Sequence, residues 1–188
     1  MTDASALGRI ARAFDLAARA HEGQQRGDGR KEAFISHIAD VAHRVSESPA
    51  VDEVTLLAAL LHDVAEKTSH TLAEIEAEFG AEVAGIVAEL TDDSRLSEHE
   101  QREQQAEAAP SFSERAKRIK LADKASKLAS IASAQPGWWD RGKGRKEVEQ
   151  ARKVAAGLRG IDPVLEAAFD REARAADAAL GQQQGERI

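Results

Sequence analysis

Apolar residues recur every three to four positions from Leu7 through Ile10, Ala11, Phe14, Ala17 and Ala18 to His21, and the stripe stops at Gly23. A 3.6-residue period of this kind predicts an amphipathic helix closed by a glycine. The next ten residues, QQRGDGRKEA, carry no period and read as a loop. Ser36 is placed to cap a second helix bearing Ile38, Val41, Ala42 and Val45. Ser48-Pro49 ends that helix, because the residue before proline is pushed out of helical space. Asp52 caps a third helix whose run VTLLAALL is apolar on all sides, which predicts a central, buried segment.

Thr71 followed by Glu74 is a capping box for a helix with Leu72, Ile75 and Phe79, and Gly80 ends or bends it before Val83, Ile86, Val87 and Leu90 resume the stripe. Ser97 and Glu100 repeat the box, but EHEQREQQAEAA behind them is polar all round, which predicts an exposed, mobile helix. Ser113 opens a long helix through Ile119, Ala122, Leu128 and Ile131 to the breaker Gln135-Pro136-Gly137. The loop WWDRGKG follows, and one of Trp138 and Trp139 is expected to pack on the core. Two further helices run from Arg145 to Leu158 and from Pro163 to Leu180, with Asp162 as cap and Pro163 at the first helical position.

Alanine supplies 38 of the 188 residues and nothing alternates with the period of a strand, so the expected fold is all-α: a single-domain helical bundle over residues 1–180 with a disordered tail at 181–188. Cysteine is absent, which excludes disulfides, thiolate nucleophiles and cysteine-ligated zinc and leaves His, Asp and Glu as the ligands for any metal. A net charge of −7 argues against general nucleic-acid or anionic-membrane binding. Apolar runs stay short of the ~20 residues of a membrane span and no leader pattern opens the chain, so a cytoplasmic protein is expected.

The candidate chemistry centres on His62-Asp63, a charged dyad in the most apolar helix of the chain. Such residues are buried only when paired or metal-bound. Neighbours on a helix point ~100° apart, so an imidazole and a carboxylate can converge on one ion. His37 and Asp123 are the other histidine and carboxylate in apolar helical contexts, and together the four suit Mn²⁺, Fe²⁺ or a similar octahedral ion. Glu66 lies on the same face as the dyad and is placed to orient an attacking water. Two basic clusters, Arg115, Lys117, Arg118, Lys120 and Lys124, then Arg141, Lys143, Arg145 and Lys146, flank Asp123 and suggest a polyphosphate site. His21 reads as a packing residue at a helix end; His43, His70 and His99 read as solvated.

His37, His62-Asp63 and Asp123 in this order resemble the H…HD…D signature of the HD-domain phosphohydrolases, an all-helical superfamily. Within it, HEGQQRGDGRKEAFISH, LLAALLHDVAEKTSHTLAEIEAEFGAEVAGIVAELTDD and RIKLADKASKL are similar to the hydrolase domain of RelA/SpoT proteins, and the length matches its stand-alone small alarmone hydrolases. The resemblance implies removal of the 3′-pyrophosphate of guanosine tetra- or pentaphosphate, a stringent-response activity, with Mn²⁺ or another divalent transition metal on His37, His62, Asp63 and Asp123. It implies catalytic work for Glu66 and Lys67, the latter where the family has Asp. It also implies substrate contacts for Arg26 and for the position of Lys127, where the family has Asn, next to Ser126 in place of Tyr; from the basic cluster, Lys120 and Lys124 are expected to join them. Two other readings stay open: hydrolysis of a different nucleotide or phosphorylated metabolite, and a catalytically silent nucleotide-binding or scaffold protein. Self-association into a homo-oligomer is also open.

Overall fold

Ten α-helices fill the residues described by this computed structural model, 4–27, 32–134 and 140–182, and extended pairing among them is limited to one antiparallel bridge between Gln25 and Ala33. The all-α expectation holds. α1 (Ala4–Ala20) ends before the buried His21, and the chain turns through Gly23, whose φ of 75° suits glycine. α2 (Ile35–Ser46) starts earlier than its sequence suggests. The Phe34 N–H bonds to the Gln24 carbonyl at 2.9 Å and the Phe34 carbonyl takes the His37 N–H, so Ser36 falls inside the first turn and caps nothing.

α3 (Glu53–Leu61) is capped as expected, with the Asp52 carboxylate accepting the Thr55 N–H at 2.8 Å. It stops at Leu61, and α4 (Val64–Lys67) restarts one turn later, so the His62-Asp63 dyad occupies a break between two helices rather than the interior of one. Both capping boxes form, at α5 (Leu72–Phe79) and α7 (Glu98–Ala108). Gly80, at φ 94°, makes α5 and α6 (Ala81–Leu90) two helices instead of a bent one. After a 3-10 turn at Ala109–Ser111, Ser113 caps α8 (Glu114–Ser133). α9 (Arg141–Ala156) begins four residues before the expected Arg145, because Asp140 accepts the Lys143 N–H at 2.9 Å and draws RGKG into the first turn. α10 (Pro163–Gln182) is capped by Asp162, which accepts from Val164 and Leu165. It continues two residues into the segment expected to be tail; residues 183–188, the 135–137 breaker and Trp138 and Trp139 lie outside the described residues.

Two apolar clusters hold the helices together. One gathers residues of α1–α6 around Ile38, Leu57, Leu61 and Val87, with Ala116, Ile119 and Ala122 of α8. The other gathers α9 and α10 around Val154, Leu165 and Phe169, with Leu121, Ala125, Leu128 and Ile131 of the same α8. α8 is therefore the shared wall between two half-cores and is buried around its whole circumference, which explains the weak apolar stripe of its sequence. That burial takes Arg118, Lys120, Asp123, Lys124, Ser126 and Ser130 inside with it. Six polar side chains on one buried helix require partners.

Candidate active site

The break after Leu61 turns His62 and Asp63 toward α2 and α8, where His37 and Asp123 wait; all four are at most 5% exposed. One ligand atom each from His37, His62 and Asp123 lies within 4.8 Å of the others. Asp63 Oδ2 completes the group, 3.4 Å from His62 Nε2 and 3.7 Å from His37 Nε2, and Asp123 Oδ1 is 3.3 Å from His37 Nε2. His37 Nε2, His62 Nε2, Asp63 Oδ2 and Asp123 Oδ1 are all buried and without a hydrogen-bond partner. An unpartnered buried polar atom costs about 1–3 kcal/mol, so four of them facing one another call for a cation. The structure thus brings together the four ligands anticipated from sequence.

The outer nitrogens of the two rings fix which lone pairs face inward. His62 Nδ1 is 2.8 Å from the Ala59 carbonyl, which can only accept, so Nδ1 donates and Nε2 keeps the free lone pair. His37 Nδ1 is 3.0 Å from Ser126 Oγ, and that hydroxyl in turn hydrogen-bonds to the Asp40 carboxylate. With its proton given to Asp40, Ser126 accepts from His37 Nδ1–H and from Arg26 Nη2, which leaves His37 Nε2 as an acceptor. Burial lowers the pKa of His37 and outweighs the pull of Asp123 and Asp63, so the ring is neutral at physiological pH. Burial would raise the Asp63 carboxyl, but His62, Lys67, His37 and Lys127 hold it far below the usual carboxylate range. Asp123 is likewise held low against burial, by Lys127, His37 and Lys124. Two imidazoles with Nε2 turned inward and two carboxylates fit a divalent transition metal with open positions.

Two cavities meet at this centre. One, of about 220 Å³, is lined by Arg26, Phe34, His37, Lys127, Ser130 and Glu147. The other, of about 280 Å³, is polar and includes His62, Asp63, Glu66, Lys67, Asp123 and the α8 lysines Lys120, Lys124 and Lys127. Lys127 borders both. Its ammonium is 3.3 Å from Asp123 Oδ1, and the carboxylates of Asp123, Asp63, Glu147 and Glu66 raise its pKa against the effect of burial. Burial, with the Lys127 ammonium beside it, pushes Lys124 down to about 7. Lys67 Nζ is 2.6 Å from Asp63 Oδ1 and 5.2 Å above the Phe34 ring. Glu66 Oε2 accepts the Asp92 N–H at 3.2 Å, which steadies the carboxylate over the polar cavity. Arg26 donates to the Ser126 carbonyl at 3.3 Å and to Ser130 Oγ, and so forms part of the first cavity's wall.

Several sequence expectations change here. Only Lys120 and Lys124 of the first basic cluster reach the site: Arg115 pairs with Asp52 and Glu82, and Arg118 with Glu114 and Asp162. The second cluster sends none of its cations to the site, since Arg141 bonds the Leu180 carbonyl and Lys143, Arg145 and Lys146 are exposed; α9 supplies Glu147 instead. α7 is not a free-standing exposed helix. Gln101, Arg102 and Gln105 line the polar cavity, and hydrogen bonds from Gln101 to Asp93, Gln105 to Asp92 and Lys124 to Gln105 tie the helix down. Its inner face is polar because the cavity it walls is polar. Asp40 escaped notice in the sequence, and Ser126 stands out there only as a replacement for the family's Tyr, not as a partner of His37, although Asp40 lies three residues after His37 on α2 and Ser126 three after Asp123 on α8, the spacing of neighbours on one face. His21 packs as expected, 4.8 Å from Phe34 and bonded to Gln24.

Residues 13–150 match the HD domain. A Xenopus tropicalis protein called guanosine-3′,5′-bis(diphosphate) 3′-pyrophosphohydrolase MESH1 is 40% identical over 162 residues, 86% of this chain and 90% of its own length. Its Homo sapiens counterpart is 39% identical over 166 residues, covering 88% and 93%. Among solved structures, a metazoan ortholog of SpoT described as hydrolysing ppGpp superposes with a TM-score of 0.83 at 36% identity, over 88% of this chain and 94% of that one.

Proposed function

Since the chain belongs to the HD-domain family, we propose that it is a metal-dependent guanosine 3′,5′-bis(diphosphate) 3′-pyrophosphohydrolase, with Mn²⁺ as its ion and the cytoplasm as its place of work. The observation that carries the proposal is the four unpartnered ligand atoms of His37, His62, Asp63 and Asp123 at the meeting point of two cavities with different linings. A divalent ion held by these four supplies Lewis acidity toward a phosphoryl oxygen and toward the attacking water.

The protein's own groups do the rest. Arg26, Phe34 and Ser130 form a pocket that receives the nucleoside, and Lys127, on the border of both cavities, meets the phosphate esterified to O3′. Lys120 and Lys124 bind the remaining phosphate oxygens. Glu66, held by the Asp92 N–H, orients the water and takes its proton. The water oxygen bonds to the phosphorus attached to O3′, the P–O3′ bond breaks with its electron pair on O3′, the proton taken up by Glu66 passes to O3′ to restore the 3′-hydroxyl, and pyrophosphate leaves. Lys67 neutralises charge that develops on the phosphoryl oxygens.

Incubating metal-loaded protein with guanosine tetraphosphate, other nucleotides and simple phosphomonoesters tests the assignment. Pyrophosphate release from guanosine tetraphosphate, faster than from the rest of the panel, is the expected result. Turnover confined to another nucleotide or to a phosphomonoester overturns the substrate, and no turnover of any overturns the reaction.

A further inference from the structure

Each carboxylate of the ligand centre has an ammonium against it. Lys67 Nζ is 2.6 Å from Asp63 Oδ1 while Asp63 Oδ2 faces the imidazoles, and Lys127 Nζ is 3.3 Å from Asp123 Oδ1 and 3.4 Å from Oδ2. The two carboxylates of the centre are thus matched by two ammoniums before any ion enters, while the rest of the polar cavity's lining sets Glu66, Asp92, Glu98 and Glu147 against Lys120, Lys124 and Arg102. Lys120 brings no carboxylate of its own, since its ammonium donates to the Leu90 carbonyl. A divalent ion in this centre therefore meets two carboxylates whose charge is already matched and comes close to the two ammoniums that match it. Charges of one sign that close repel strongly in a medium less polar than water. An anion with two or more charges, seated between Lys67 and Lys127, offsets that repulsion.

We propose that metal ion and phosphate-bearing ligand bind this site with strong positive coupling, and that Lys67 and Lys127 create the coupling by making the metal-only state electrostatically unfavourable. The idea rests on the four-ligand metal site of the proposed function, but not on the identity of the nucleotide. Coupling is reciprocal: if the anion raises ion affinity by some factor, the ion raises anion affinity by the same factor. Each lysine has its own share, because each neutralises a different ligand.

The test uses the full chain, stripped of metal with a chelator, and titrates Mn²⁺ while the free ion is followed by its electron paramagnetic resonance signal, with and without millimolar inorganic phosphate. Phosphate is the probe because it binds free Mn²⁺ weakly, and a protein-free titration corrects for what it does bind. Ion affinity should rise at least tenfold with phosphate, and phosphate affinity should rise by the same factor with the ion. In Lys67→Gln/Lys127→Gln, Mn²⁺ alone should bind about tenfold tighter than in wild type and the coupling should fall below threefold. Lys67→Arg, which keeps the charge, should retain it and guards against a merely misfolded glutamine variant. Equal ion affinity with and without phosphate in wild type, or full coupling in the double glutamine variant, overturns the proposal, as does a failure to bind Mn²⁺ under either condition. Hydrolysis of guanosine tetraphosphate without coupling sinks this inference alone; coupling without hydrolysis sinks the proposed substrate alone.

Discussion

The hydroxyl of Ser126 stands 3.0 Å from Nδ1 of His37 and bonds on its far side to Asp40, so a residue that no metal touches decides which nitrogen of a ligand carries the proton. Removing the hydroxyl in Ser126→Ala strands a buried N–H and lets the ring rotate. Outer partners of this type are worth about 10- to 100-fold in metal affinity. Titration of Mn²⁺ into metal-free protein should show a loss in that range for Ser126→Ala and recovery in Ser126→Thr, and unchanged affinity in the alanine variant would remove the hydroxyl from the site.

Asp63 and Glu66 are three residues apart and should fail in different ways. Asp63→Ala takes away a ligand oxygen and should abolish both metal retention and turnover. Glu66→Gln keeps every ligand and should hold the metal while losing about 10²- to 10⁴-fold in turnover, the usual worth of a positioned general base. Elemental analysis and steady-state rates on the same preparations separate the two, and wild-type turnover in Glu66→Gln would assign the water to another group.

Acidification should destabilise the metal-free protein through His37. Its pKa is lowered by burial, so between pH 6.5 and the lower folded value the unfolded chain binds a proton that the folded chain refuses. Stability from this group is thus fully present above pH 6.5 and lost as pH falls below it, by up to about 1.4 kcal/mol per pH unit. Denaturant melts of chelator-treated protein at pH 7.5 and 5.5 should show the loss in wild type and a smaller one in His37→Gln. Equal losses in both would exonerate His37.

Gly157 gives a purely steric test of how α7 is held. A Cβ there would come within 2.8 Å of Pro110 Cδ and 2.9 Å of the Pro110 nitrogen, while its φ of −81° is open to any residue. Gly157→Ala should therefore cost about 1–3 kcal/mol, as overpacked interiors do. Thermal unfolding measures it; a melting point within a degree of wild type would mean that the 3-10 turn moves aside freely.

Caps and periods made most of the helices legible. Asp52, Thr71, Ser97, Ser113 and Asp162 all cap where the spacing places them, because a cap is a local bond between a side chain and an amide two or three residues on. Ser36 misled for the opposite reason: the start of α2 is fixed by the Gln24–Phe34 bond across a loop. Likewise the meeting of His37, His62, Asp63 and Asp123 was readable from two histidines and two carboxylates in apolar surroundings, a conflict visible in one dimension. The role of α7 was not, since polarity facing solvent and polarity facing a polar cavity look alike until Lys124 and Gln105 are seen bonded. Asp40 was hidden in the same way, as one more charged residue on a helix with an exposed side.

Because α8 is a wall common to both half-cores, the proposed ion, held by Asp123 from this wall and by His37, His62 and Asp63 from the first half-core, would rivet the wall to that half. Pulling the first half-core from α8 would open the rivet's seat, and because α8 is also the floor on which α9 and α10 pack, holding it in place supports both halves. At 100 times its dissociation constant a ligand specific for the folded state adds about 2.7 kcal/mol. Amide hydrogen exchange should slow on metal loading not only around α3 and α4 but also along α9 and α10, helices that contribute no ligand. The chemistry of the centre and the cohesion of the whole bundle are thereby set by the same four side chains.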